Sequence, residues 1–187
     1  MVTLNRIYTR TGDDGGSALG NGERRPKSDQ RFAAIGTVDE VNATVGLARL
    51  AATGATDAML ARIQNDLFDL GADLAVPEVE KRPRERLRIV DAQVARLEAE
   101  IDQMNENLAP LTSFVLPGGT PLAASLHLCR TVARRAEREM VAPPAPETLN
   151  EQALRYLNRL SDFFFVAARF ANDGGAGDVL WVPGGNR

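Results

Sequence analysis

Between residues 126 and 138 the chain reads Leu-His-Leu-Cys-Arg-Thr-Val-Ala-Arg-Arg-Ala-Glu-Arg. In a helix this spacing sets Arg130, Arg134 and Arg138 in one row, with Glu137 beside them. Guanidiniums stacked a turn apart repel one another unless something anionic lies across them. A polyphosphate could fill that role, and so could carboxylates from another helix. The whole chain carries a net charge of -3, so the row is a local cationic strip and not part of a general excess. Arginine suits a partly buried phosphate because its planar fork grips two oxygens at once. Leu126, Leu128, Cys129, Val132 and Ala133 crowd the row, so little fully exposed face is expected there. The alternative is ordinary surface pairing with acids, which contributes about 0–1 kcal/mol per pair.

A second candidate is the segment Tyr8–Lys27, with glycines at 12, 15, 16, 20 and 22. Those glycines let the backbone approach a ligand closely and turn its amides inward. Thr9, Thr11 and Ser17 add hydroxyls, and Arg10 and Lys27 add charge. The segment reads as a phosphate cradle or as a flexible polar terminus. It lacks the Gly-Lys-Ser/Thr of a Walker loop, and Arg25 stands where a dinucleotide fingerprint needs its third glycine.

Other polar groups have weaker signatures. Asp39 and Glu40 interrupt an apolar helix, as do Arg155, Asn158 and Asp162 further on, and inter-helix salt bridging accounts for them. Phe114-Val115-Leu116-Pro117-Gly118-Gly119 precedes the arginine helix and reads as a plug over the bundle end or as an apolar wall for a large flat ligand. His127, the only histidine, receives no role, and Cys129, the only cysteine, reads as a small core residue.

The elements that must position these groups are helical. Phe32, Ile35, Val38, Val41 and Val45 recur at helical steps from Asp29 onward, and Leu60, Ile63, Leu67, Leu70 and Leu74 do so from about Thr56 to Val76-Pro77. A charged linker from Glu78 to Arg86 leads to a heptad seam through Leu87, Val90, Val94, Leu97, Ile101, Met104 and Leu108. The arginine helix runs to about Val141, where Pro143, Pro144 and Pro146 break it. A fifth helix covers about Glu147 to Ala171. The pattern predicts an all-α five-helix bundle with ferritin-like up-down packing. One domain is expected over 1–187: an extended or looped arm (1–28), the bundle (29–172), and a tail (173–187) that is a short strand or extended segment at Asp178–Pro183. The Asp173–Gly177 stretch before it reads as loose.

Composition excludes several classes. Hydrophobic content of 44% and charged content of 25% are those of an ordinary soluble globular protein. The acidic balance argues against a nucleic-acid binder. The longest apolar run, Phe163 to Ala168, is far short of the ~20 residues of a membrane span. One cysteine permits no intrachain disulfide and no cysteine-based zinc site. A cytoplasmic protein that contacts neither nucleic acid nor membrane is expected.

Three blocks together resemble a known family. They are Thr-Gly-Asp-Asp-Gly…Glu-Arg-Arg-Pro-Lys with Gly-Thr-Val-Asp-Glu, then Phe-Val-Leu-Pro-Gly-Gly-Thr, then Arg-Thr-Val-Ala-Arg-Arg-Ala-Glu-Arg with Leu-Asn-Arg-Leu-Ser-Asp. In order and spacing they are similar to the PduO-type ATP:cob(I)alamin adenosyltransferases, from about Arg6 to Pro183. The resemblance implies a homotrimer with ATP at the subunit interfaces. Transfer of the 5′-deoxyadenosyl group of ATP to cob(I)alamin would give adenosylcobalamin and triphosphate, with Mg²⁺ assisting, in the cob(I)yrinic acid a,c-diamide adenosyltransferase class. It also implies site residues. Thr9, Arg10, Thr11, Gly12, Ser17, Ala18 and Lys27 of one subunit would wrap the nucleotide. Arg134, Arg135, Ala136, Glu137, Arg138 and Asn158 of the neighbour would complete the site. Asp39 and Arg130 would pair between subunits, and Phe114 would keep the corrin free of its lower ligand. An adenosylcobalamin-dependent enzyme or a cobalt reductase is a possible further partner, and the metal ligands are unknown. The residues leave two other readings open: an ATP-binding bundle without transfer activity, such as a sensor or cofactor chaperone, and a structural bundle.

Overall fold

A computed structural model describes residues 7–77, 87–142 and 149–187. Its helices are α1 (Gln30–Arg49), α2 (Gly54–Leu74), α3 (Asp91–Asn105), α4 (Pro121–Val141) and α5 (Glu151–Ala171). Side chains start three of them. Asp29 accepts from the Arg31 amide, Thr120 from Ala123 just before Pro121, and Asn150 from Gln152. The all-α class is as expected.

Consecutive helices alternate in direction. Gln30 of α1 donates to the Glu139 carbonyl near the end of α4 (2.9 Å), and Arg49 at the end of α1 pairs with Asp57 at the start of α2 (2.7 Å). Arg159 of α5 meets Glu98 of α3 at 2.7 Å, while Arg169 reaches the Ala109 carbonyl just past α3 at 2.9 Å. Helices α3 and α5 therefore run parallel, and α4 lies antiparallel between α1 and α5. Val41, Val45, Leu60, Leu67, Leu97, Leu126, Leu157 and Phe164 are all buried in the common core. Each such side chain contributes about 1.5–3 kcal/mol on leaving water, which holds the helices at fixed spacing.

Several boundaries differ from the periodic pattern. Helix α3 begins at Asp91, so Leu87 and Val90 lie before it and are exposed, while Ile89 is buried. The cause is polar: the Asp73 carboxylate accepts from the Ile89 amide at 3.0 Å, and Asn150 donates to the Ile89 carbonyl at 2.9 Å. The arm contains a small antiparallel hairpin, β1 (Gly16–Ala18) and β2 (Arg24–Pro26), with Ser17 opposite Arg25. Strands of three residues are too short to carry a legible alternation. The linker from Glu78 to Arg86, the break at Pro143, Pro144 and Pro146, and a helix start at Glu147 lie outside the described residues.

The buried polar groups are also not those expected. Asp39, Glu40, Arg155, Asn158 and Asp162 are exposed. The polar centre of the bundle is Asp66, which accepts from the Tyr156 hydroxyl and the Gln93 amide, each at 2.9 Å, and pairs with Arg96. Burial and the Asp66 charge raise the Tyr156 pKa well above the usual phenol range.

Candidate active site

The arm is built by its own backbone and charges. Positive φ at Gly15 (81°) and Gly22 (89°) turns the chain on either side of the hairpin. Lys27 closes the loop, its Nζ donating to the Gly12 carbonyl at 2.8 Å and its amide to the Gly15 carbonyl at 2.8 Å. Arg24 donates to the Thr11 carbonyl at 2.9 Å and pairs with Asp14 at 3.1 Å. Asp14 also accepts from the Gly16 amide, and that bond, followed by the Arg24 charge, lowers its pKa. The Thr9 and Thr11 hydroxyls lie 2.9 Å apart. Arg10 sits at φ 60°, a left-handed conformation that costs a non-glycine residue roughly 1–3 kcal/mol, with its guanidinium over the Tyr8 ring. Leu19 is buried, and the Gly20 amide donates to the Ala75 carbonyl at 2.7 Å. The arm is therefore a hydrogen-bonded loop docked on the end of α2, not a loose terminus.

The α4 strip is more open than its apolar neighbours imply. Arg134, Arg135 and Arg138 are exposed, and Leu128 is exposed beside them, so the expected crowding does not occur. Arg135 is ion-paired with Glu40 of α1. Glu137 accepts from Asn158 of α5 at 2.9 Å, which brings two expected site residues together. Ala136 is fully buried in the core, so its side chain cannot touch a ligand. Helix geometry puts it nearly half a turn away from Arg134 and Arg138. None of the arm bonds described above joins the arm to the strip.

Arg130 belongs to a different environment. It lines an open cavity of about 510 Å³ with Leu111, Thr112, Ser113, Phe114, Val115 and Phe165. Its Nε is buried and has no hydrogen-bond partner among the described residues. Burial, then the nearby Arg134 charge, lowers its pKa. Asp39 of the same chain is exposed and makes no bond to it. A buried guanidinium nitrogen without an acceptor is costly. Beside it, His127 is buried with neither ring nitrogen bonded, and lies edge-on to Phe165 at 6.3 Å.

Phe114 is not a plug: it is 76% exposed at the cavity mouth. Its partner is one the sequence reading missed. Trp181 of the tail lies 6.0 Å away, centroid to centroid, with the rings inclined at 60°. The Trp181 amide donates to the Phe114 carbonyl at 2.8 Å, and the Ser113 hydroxyl to the Trp181 carbonyl at 2.7 Å. The tail is thus an extended segment, bridged at Leu180 to Val115. The Asp173–Gly177 stretch is tightly bonded, with Gly175 donating to the Arg169 carbonyl and Gly177 to that of Asn172, each at 2.9 Å. No sequence pattern links a tail aromatic to a loop so distant in the chain. Among the described residues no group of three or more His, Cys, Asp or Glu side chains is placed to hold a metal ion.

The family model for cobalamin adenosyltransferase matches residues 7–171. A corrinoid adenosyltransferase of Mycobacterium bovis is 50% identical over 191 residues, covering 100% of this chain and 97% of that protein. A cobalamin adenosyltransferase of Cupriavidus metallidurans is 47% identical, with 95% of each chain covered. Among solved structures, a single-residue variant of the PduO-type ATP:corrinoid adenosyltransferase of Lactobacillus reuteri, complexed with cobalamin and ATP, superposes with a TM-score of 0.87. It is 38% identical, with 94% of this chain and 96% of that chain covered.

Proposed function

This chain belongs to the cobalamin adenosyltransferase family, and we propose that it moves the 5′-deoxyadenosyl group of ATP onto a cob(I)alamin-type corrinoid. The Co(I) electron pair forms the Co–C5′ bond, the C5′–O bond breaks, and its electrons leave with inorganic triphosphate. The metal is oxidised formally to Co(III), and no separate oxidant is needed. No protein nucleophile is required, since the corrinoid carries the difficult chemistry. The protein supplies position and positive charge.

The observation that carries this reading is the placement of two unlike half-sites along α4. Toward its C-terminal half lies an open cationic face, with Arg134 and Arg138 available and Glu137 fixed by Asn158. Arg130 adjoins a cavity walled by Phe114, Val115 and Phe165. The first suits a leaving triphosphate, and the second suits the flat apolar face of a corrin.

The arm is read as the nucleotide cradle, with Thr9, Arg10, Thr11, Gly12, Ser17, Ala18 and Lys27 around the phosphates. Its docking on α2 and its separate bonding favour a cradle offered to a neighbouring subunit. The unpartnered Arg130 Nε favours the same arrangement, with Asp39 of a second copy as its acceptor in a homotrimer. Mg²⁺ would arrive on the phosphates, which suits the lack of a carboxylate cage among the described residues. The cob(I)yrinic acid a,c-diamide class and a cytoplasmic setting belong to the same reading, and among the described residues no helix is long and apolar enough to cross a membrane. Mixing the protein with ATP, Mg²⁺ and chemically reduced cobalamin is the direct test. The adenosylcobalamin spectrum is expected; binding of ATP without that product would establish the non-catalytic alternative instead.

A further inference from the structure

We propose that Asp178 is a positioning residue for the corrinoid half-site, docking the tail through Arg169 and Asn172 so that Trp181 and the 113–116 segment form one wall. The inference rests on the functional reading above for its substrate, and on the following geometry for everything else. The Asp178 and Arg169 side chains are 3% and 8% exposed, so the ion pair they form is deeply buried. One Asp178 oxygen accepts from Arg169 Nε at 2.7 Å, and the other accepts from Asn172 Nδ2 at 3.2 Å.

Each partner ties in a further segment. Arg169 also donates to the Ala109 carbonyl, holding the chain just past α3. Asn172 accepts from the Thr120 amide at 2.9 Å, and Thr120 is the residue that caps α4. Gly119 makes room for this contact. It lies at φ 97°, and a Cβ there would meet Asn172 Oδ1 at 2.1 Å. Immediately after Asp178 the tail backbone pairs with the loop, Leu116 donating to the Val179 carbonyl at 2.8 Å and Trp181 to that of Phe114. The knot therefore fixes the Phe114–Trp181 wall to the start of the helix that carries Arg130 and Arg134.

An ion pair taken out of water is poor net stabilisation, because desolvation offsets most of its Coulomb energy. It does fix direction. The 113–116 segment and the tail carry exposed apolar rings, so burial cannot lock them in place. Directional bonds from Asp178 can.

Trp181 is the only tryptophan, so its fluorescence reports the tail directly. The full-length Asp178→Asn variant, and the Arg169→Met/Asp178→Leu double variant that leaves no lone buried charge, are compared with the parent chain. Acrylamide quenching of Trp181 is expected to rise toward that of a free indole in both. The KM for cob(I)alamin is expected to rise about tenfold, or about 1.4 kcal/mol, while the Kd for Mg·ATP stays at the parent value. A cooperatively melting variant with parental quenching and parental cob(I)alamin KM would overturn the proposal. So would equal weakening of both substrates with a lowered Tm, which is the signature of a merely structural pair. A parent chain that forms no adenosylcobalamin would overturn the functional reading instead, and the quenching comparison would still decide whether Asp178 anchors the tail.

Discussion

Arg135 on α4 is ion-paired with Glu40 on α1, whereas Arg134, one residue earlier, is exposed with no ion pair among the described residues. Two adjacent arginines thus differ in setting, one stitching helices together and the other open to solvent. In the sequence they are equivalent members of one cluster.

Arg134→Ala is expected to lower kcat/KM for adenosylation by on the order of 10²-fold, the usual cost of one donor to developing charge. Arg135→Ala should cost less, because its partner Glu40 is exposed and such pairs contribute about 0–1 kcal/mol. Steady-state kinetics with ATP and reduced cobalamin decide the matter. Near-parental activity in Arg134→Ala would remove the anion-strip reading.

Asp39→Asn or Arg130→Met should impair assembly, activity or both, since Arg130 has a buried Nε with no acceptor among the described residues. Multi-angle light scattering together with kinetics provides the check. A variant unchanged in mass and in rate would rule out the intersubunit pair.

Phe114→Ala should leave Mg·ATP binding intact while weakening the lower-ligand-free Co(II) signal in electron paramagnetic resonance. Phe114 lies at the cavity mouth, and none of its described contacts involves the arm or the exposed strip. An unchanged spectrum would sink its assignment as the residue facing the corrin.

Mg·ATP at 100 times its Kd should stabilise the fold by about 2.7 kcal/mol, read as a rise in Tm. The purely structural bundle predicts no shift.

Burial raises the Cys129 thiol from a reference of 9.0 to about 11. The unfolded chain therefore gives up this proton at lower pH than the folded chain. The associated stability is fully present below pH 9 and is lost as pH climbs through about 11, up to about 2–3 kcal/mol. Tyr156 loses stability on the same side of neutrality, so Cys129→Ala is the comparison: its alkaline melting curve should be flatter than that of the parent chain. Parallel curves would place the Cys129 thiol in a more polar setting than its burial implies.

Much of the bundle is legible in the sequence, because helices announce themselves locally. The apolar spacing of Leu60, Ile63, Leu67 and Leu70 gave α2. The seam beginning at Leu87 is overextended because period alone cannot register a carboxylate on another helix. Asp73 captures the Ile89 amide and keeps that stretch extended. The arm hairpin was invisible for a related reason: its stability comes from backbone pairing and the Lys27–Gly12 bond, not from apolar alternation.

The sequence by itself determined the fold class and which residue types the chain can offer a phosphate or an apolar face. It did so because helical periodicity and side-chain chemistry are properties of neighbours along the chain. Only the tertiary structure decided how those groups are apportioned. It gave Arg135 to Glu40, turned Ala136 into the core, left the Arg130 Nε without an acceptor among the described residues, and set Trp181 against Phe114 and Asp178 against Arg169. These are through-space relations between segments far apart in the chain, and they exist only once the packed helices have fixed where each segment ends.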